Sequence, residues 1–185
     1  MKLLSNSVSV LRSSSRRILV LGAALILGVV ASTQAGGASS GRTVRSQGDD
    51  QFVPNVRVAS TLSFNPGHVT INSGETLTFE HGDKTQDPHT LTIVNKADLP
   101  ASSAEVFNCG APGTVCDDIF QLLPGEPSGP EFLNVAGGSG LDARGDTMFI
   151  LPGTSVSATV TAAPGSTLYF MCLIHAWMQG TIKVH

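Results

Sequence analysis

The sequence predicts an all-β sandwich or barrel, and three observations predict it. Short runs rich in β-branched and aromatic residues recur from Phe52 onward, turn residues separate them, and no stretch carries the apolar period of a long amphipathic helix. The composition agrees: 185 residues hold 20 Gly and 10 Pro with 5% aromatics, the profile of a chain with many turns. That length allows one domain and an appendage.

The first strands are predicted at Val56–Phe64, Val69–Asn72, Thr76–Phe79 and Thr90–Val94, with Asn65-Pro66-Gly67 and Asn72-Ser73-Gly74 as turns between them. Alternation is clear in Thr76-Leu77-Thr78-Phe79 and Thr90-Leu91-Thr92-Ile93, as in strands with one buried face. The rhythm breaks over residues 97–146, which hold a cysteine pair, five of the 10 prolines and Gly137-Gly138-Ser139-Gly140. This stretch reads as a long ordered insertion with one short helix, because Ser102 and Glu105 have the spacing of a capping box. Strands resume at Thr147–Leu151, Ser155–Thr161, Thr167–Cys172 and Gly180–Val184. About eight strands within residues 51–185 suit a sandwich or barrel.

The N-terminus reads as an export signal. A basic region ending in Arg16-Arg17 precedes the apolar run Ile18–Ala31, and small residues follow around Ala35. The run is about 14 residues, short of the roughly 20 that span a bilayer. Residues 1–35 are therefore expected to be a signal peptide, with a retained membrane anchor as the alternative. Ser15-Arg16-Arg17 partly resembles a twin-arginine signal, and an ordinary basic leader explains it equally well. Export places the protein in a periplasm, outside the cell or on its surface. Residues 36–50 are small and polar and read as a flexible linker that buries nothing.

Charge narrows the partners. Four of the 11 basic residues lie in the N-terminal segment and all 14 acidic residues lie beyond it, which leaves a net of −7 for the rest. So acidic a domain does not suit nucleic acid, whose binding rests on cationic contacts to phosphate. Three cysteines fit an oxidising compartment if two pair and one has other work. Cys109 and Cys116 flank Gly110, Pro112 and Gly113 and are expected to form a disulfide; two buried thiols are the alternative. Cys172 is left over.

The chemistry lies in Tyr169-Phe170-Met171-Cys172-Leu173-Ile174-His175-Ala176-Trp177-Met178-Gln179-Gly180. Leu168, Phe170 and Cys172 alternate and point to one side, into the sandwich. His175 and Met178 follow at intervals of three on a tight loop. Thiolate, imidazole and thioether form a soft to borderline donor set suited to copper. One more imidazole is needed, from a neighbouring strand.

The pattern C-x-x-H-x-x-M before a glycine and a closing strand resembles the ligand loop of the cupredoxins, in spacing the amicyanin type. Pro88-His89-Thr90 resembles the Pro-His-Asn that carries the first histidine ligand in plastocyanin- and amicyanin-type members. Phe64–Phe79 is similar to the strand pair that precedes it, and the resemblance covers about residues 52–96 and 147–185. It implies a cupredoxin-like Greek-key β-sandwich or barrel with a long loop insertion. It also implies one type 1 copper ion held by His89, Cys172, His175 and Met178.

Two positions depart from the family. Thr90 stands where Asn commonly ties the two ligand loops together, so the groups around the ligands differ. Ala176 stands where amicyanin-type loops often carry Pro. Of the other histidines, His81 is the rival ligand and reads as solvated or as a neighbour of the site, while His68 and His185 read as surface residues. Trp177 shields the metal, offers an apolar contact face or packs in the core.

Three strong ligands and a weak axial methionine leave no open position for substrate, so the function implied is one-electron transfer between redox partner proteins and not an enzyme's. The alternative is copper storage or delivery, which more often uses Met/His-rich tracts; only four Met occur. A Cys–His nucleophile needs an accessible cleft, which a strand end among apolar residues does not offer. A membrane partner follows only if the N-terminal segment is retained.

Overall fold

A computed structural model describes residues 41–123 and 129–185. The signal or anchor expected over residues 1–35 lies outside the described residues. In chain order the first strands are β1 (Arg42–Gln47), β2 (Asp50–Val53), β3 (Arg57–Ser60), β4 (Ser63–Asn65), β5 (His68–Ile71), β6 (Thr76–Glu80) and β7 (His89–Val94). A 3-10 turn (Lys96–Asp98), α1 (Ser103–Asn108), α2 (Val115–Phe120) and β8 (Glu131–Leu133) follow. The chain closes with β9 (Thr147–Ile150), β10 (Ser155–Thr159), β11 (Thr167–Met171) and β12 (Gln179–Val184).

Two sheets form the sandwich. One has the order β10-β6-β1-β4 and the other β5-β12-β11-β7-β9-β8, while β2 and β3 make a separate hairpin. Most pairs are antiparallel, but β1 runs parallel to β6 and β12 parallel to β5. Alternation on the strands drives this layering: in β6, Leu77 and Phe79 are buried while their neighbours are partly exposed. Phe64 meets Phe79 at 5.7 Å and Phe170 at 5.0 Å, both edge-on, and so joins the two sheets. Burying each such ring contributes about 2–3 kcal/mol. Gly180 is required where β12 passes β11, because a Cβ there would enter the Phe170 ring and the Gly67 carbonyl.

Two expectations are corrected. Residues 36–50 are not all linker: residues 42–47 form β1 in the interior of a sheet, with Val44 and Ser46 fully buried. Val44 lies opposite Phe79 and Ser46 opposite Phe64, partners too distant in sequence for local composition to reveal. The predicted single strand Val56–Phe64 is two: β3 pairs only with β2, and β4 joins β1 after a break at Thr61-Leu62. The β2–β3 hairpin leaves Phe52, Val56 and Val58 exposed.

The described part of the insertion is ordered and has its own small core. Cys109, Cys116 and Ile119 pack with Val94, Met171, Leu173 and Ala176. Met171 and Phe170 are neighbours on β11, so the insertion covers the face of that sheet opposite the main core. Cys109 and Cys116 are disulfide-bonded. The expected helix is α1: Ser102 accepts from Glu105 N at 3.3 Å, and Glu105 Oε2 accepts from Ala101 N at 2.6 Å. A second helix, α2, was not expected; Thr114 caps it by accepting from Asp117 N, a Thr-x-x-Asp signal that the sequence does contain.

Candidate metal centre

His89 is the first residue of β7, a strand buried along its whole length between β11 and β9. Cys172 follows directly on β11. The loop after it is closed by two backbone bonds, Cys172 N to Met178 O at 3.0 Å and Met178 N to His175 O at 2.8 Å, before β12 begins. The four predicted residues are thereby brought to one end of the sandwich. His89 and Cys172 are inaccessible to water, Met178 is 1% exposed and His175 7%.

Three donors converge. Nδ1 of His89 lies 3.1 Å from Nδ1 of His175, and Cys172 Sγ lies 3.9 and 3.8 Å from them. Bonds of about 2.0 Å to nitrogen and 2.3 Å to sulfur set the ligands of one ion about 3–4 Å apart. Met178 and Cys172 share the main apolar core. The residues present therefore fit a His-Cys-His-Met set of the type 1 copper kind.

Electrostatics favour the same reading. Burial lowers His89 to a pKa of about 4; Asp83 opposes that shift, and His175 and His81 add to it. Burial likewise lowers His175, against the pull of Asp87, Asp50 and Asp83. Both rings are thus neutral near pH 7 and keep a lone pair for a metal. Burial raises the Cys172 thiol, although the backbone N–H groups of Thr90 and His175 each reach Sγ at 3.4 Å. Cys172 would lose that thiol proton to hold a cation there.

Thr90 makes a side-chain bond between the two candidate ligand segments. Its Oγ1 accepts from Leu173 N at 2.8 Å and so ties the two ligand segments together, while Thr92 donates to it at 3.1 Å. Thr147 extends the buried chain to Thr92 at 3.2 Å.

His81 proves to be a neighbour of the site and not a solvated residue. Its side chain is 5% exposed, and its ring centre is 5.5 Å from that of His89. Its Nε2 is 3.3 Å from the Asp87 carbonyl and 3.6 Å from Asp83 Oδ2. Sequence reasoning missed Asp83. Its Oδ2 lies 2.8 Å from His89 Nε2, close enough for a charge contact, though the ring N–H is not aimed squarely at it. Burial alone would push the Asp83 carboxyl up, but hydrogen bonds from Ser46 and Thr85, with His89 beside it, bring it down to about 2. Trp177 is 41% exposed and meets His175 edge-on at 5.2 Å, so it is not core filling. His68 and His185 are exposed, as expected.

No family model matches this chain, and no curated protein matches its sequence. Solved structures similar to it include reduced auracyanin from Roseiflexus castenholzii, 19% identical, covering 80% of this chain and 99% of that one with a TM-score of 0.46. Azurin Az-iso2 from Methylomonas sp. strain J is 18% identical over 80% and 99% of the two chains, with a TM-score of 0.43. A purple cupredoxin from Nitrosopumilus maritimus is 12% identical over 78% and 99%, with a TM-score of 0.40. The fold class rests on the strand order itself. Two facing sheets with parallel β1–β6 and β5–β12 pairs, with His89, Cys172 and His175 clustered at one end, form a cupredoxin-like β-sandwich.

Proposed function

We propose that the chain is an exported electron carrier that holds one copper ion through His89, Cys172, His175 and Met178. The observation that carries this reading is the convergence of two imidazole Nδ1 atoms and one thiol within 4 Å in a buried pocket. Copper bound there supplies a one-electron couple between Cu(I) and Cu(II).

The protein's own residues do the rest. The hydrogen bonds of Thr90 and of the Cys172–Met178 loop hold the donors in place whichever charge the ion carries. Complete burial of His89 and Cys172 excludes water and bars Cys172 from acting as an exposed nucleophile. His175 has the one ligand ring with an edge at the surface, and the exposed Trp177 and Ile174 beside it offer an apolar contact for a redox partner protein. Phe120, on α2 of the insertion, lines a cleft with Leu173 and Ile174 and extends that face. Export is supported by the N-terminal signal pattern and by the disulfide, a bond typical of oxidising compartments.

The test is an absorption spectrum after addition of Cu(II). An intense visible thiolate-to-copper band is expected, with a reversible redox couple, and Cys172→Ser should abolish the band. A Cys172→Ser protein that keeps its colour would sink the assignment.

A further inference from the structure

We propose that Asp83 is a positioning residue for His89: its buried carboxylate fixes the outer nitrogen of that ligand and favours the more highly charged state of the bound metal. The inference rests on the reading of His89 as a metal ligand and deepens it.

The carboxylate is placed with care. The Asp83 side chain is fully buried. Oδ1 accepts from Thr85 N at 2.9 Å and Thr85 Oγ1 at 2.6 Å, and Oδ2 accepts from Ser46 Oγ. Ser46 in turn accepts from Gly82 N at 3.1 Å, which anchors the turn that carries Asp83. With both oxygens bonded, the side chain has one orientation, and it sets Oδ2 2.8 Å from His89 Nε2.

The two nitrogens of His89 then have separate tasks. Nδ1 faces Cys172 and His175, and Nε2 faces Asp83. An imidazole that gives one nitrogen to a metal carries its proton on the other, and a carboxylate at that proton fixes the tautomer and makes the ligand more basic. A buried negative charge beside a ligand also stabilises a divalent ion more than a monovalent one. The effect is a lower reduction potential. This arrangement also explains why β1 buries a polar residue: Ser46 reaches across to hold Asp83.

The alternative is that Asp83 only caps its own turn through Thr85. Reduction potential separates the two, because a turn cap has no effect on it when the metal site is intact. The full chain is loaded with copper as wild type, Asp83→Asn and Asp83→Glu. The visible band should persist in all three. In Asp83→Asn the ratio of Cu(II) to Cu(I) affinity should fall about tenfold, a rise of about 59 mV in a one-electron couple. Asp83→Glu, which keeps the charge, should recover at least half of that shift. An Asp83→Asn protein with the band intact and its potential unchanged would overturn the proposal. A second measurement needs no variant and decides the matter if Asp83→Asn fails to fold. In the Cu(I)-loaded wild type, the proton on His89 Nε2 should resonate downfield of that on His175 Nε2, as expected beside a carboxylate; the reverse order overturns the proposal. A wild type that shows no thiolate band with Cu(II) overturns the ligand reading first, and this inference with it.

Discussion

His89 and His175 bring their Nδ1 atoms within 3.1 Å of each other, but their remaining nitrogens end in opposite surroundings. Nε2 of His89 is sealed against a carboxylate whose own side chain is fully buried. Nε2 of His175 lies 3.7 Å from Asp87, which is half exposed, beside a tryptophan at the surface. One ligand is built into a strand and the other into a loop, and that difference sets their depth. A redox site has two needs: fixed ligands, so that little rearranges as charge changes, and a short route to a partner. On the proposed reading, the two histidines divide these needs between them.

The largest effect that tests this division comes from emptying each position in turn. His89→Gly and His175→Gly should both lose the visible copper band. Added imidazole should restore it only in His175→Gly, because that cavity opens to solvent while the one left by His89 is closed on every side. Spectra with and without millimolar imidazole decide this; equal rescue of both would mean that His89 is no deeper than His175 in solution.

The next effect concerns stability away from the metal. Joining Cys109 to Cys116 closes a loop of sequence separation 7, which on the chain-entropy model is worth about 2.5 kcal/mol. The double variant Cys109→Ser, Cys116→Ser should unfold at correspondingly lower denaturant and keep the band position. A shifted band would mean that the small core under α1 and α2 steers the ligand loop through Leu173 and Ala176.

How much of this was legible in the sequence depends on how local each signal is. Cys172, His175 and Met178 sit within seven residues, so their donor types and spacing, with the resemblance they carry, pointed to a metal loop, and an alternating strand marked which way Cys172 points. His89 was proposed only through the resemblance of Pro88-His89-Thr90, which carries weight beside the Cys172–Met178 motif and little without it. β1 was not legible. Its segment RTVRSQ has one aliphatic residue, and it is a strand because β6 and β4 flank it. Asp83 was hidden for the same reason, since its holder Ser46 and its target His89 are known only once the chain has folded. Thr90 was read only as a departure that changes the groups around the ligands, whereas its buried hydroxyl accepts from Leu173 N and so joins the two segments.

A smaller effect is expected from pH in the copper-free protein. His89 is held at about 4 in the native state, chiefly by burial, and titrates near 6.5 once unfolded. Between those values the unfolded chain takes up a proton that native His89 refuses. Stability should therefore fall as pH drops from about 6.5 towards 4, and the fall should flatten in His89→Gln. Asp83 acts in a lower window. Its native value of about 2 gives stability that is complete above its unfolded value and is lost only as pH falls towards 2. Denaturant titrations at pH 7, 5.5 and 4.5 separate the two groups; identical slopes in wild type and His89→Gln would show that His89 is not buried as a neutral ring.

The smallest effect is expected at His81, and it bears directly on which cluster takes the metal. His89 belongs to two groups of donors: one with Cys172 and His175, the other with His81 and Asp83. The first contains a thiol and offers Nδ1 of His89; the second offers Nε2 of the same ring, with its carboxylate already held by Ser46 and Thr85. A soft ion such as Cu(I) prefers the sulfur-bearing group. Nε2 of His81 is also 3.3 Å from the Asp87 carbonyl, so as a hydrogen-bonded N–H it has no lone pair to give. His81→Ala should therefore leave the visible band at its position and near full intensity, with at most a slight shift in potential through the contact to Asp83. If copper instead binds without a thiolate band, and His81→Ala releases it while His175→Ala does not, the metal sits on the other face of His89, and the inner and outer roles of its two nitrogens are exchanged.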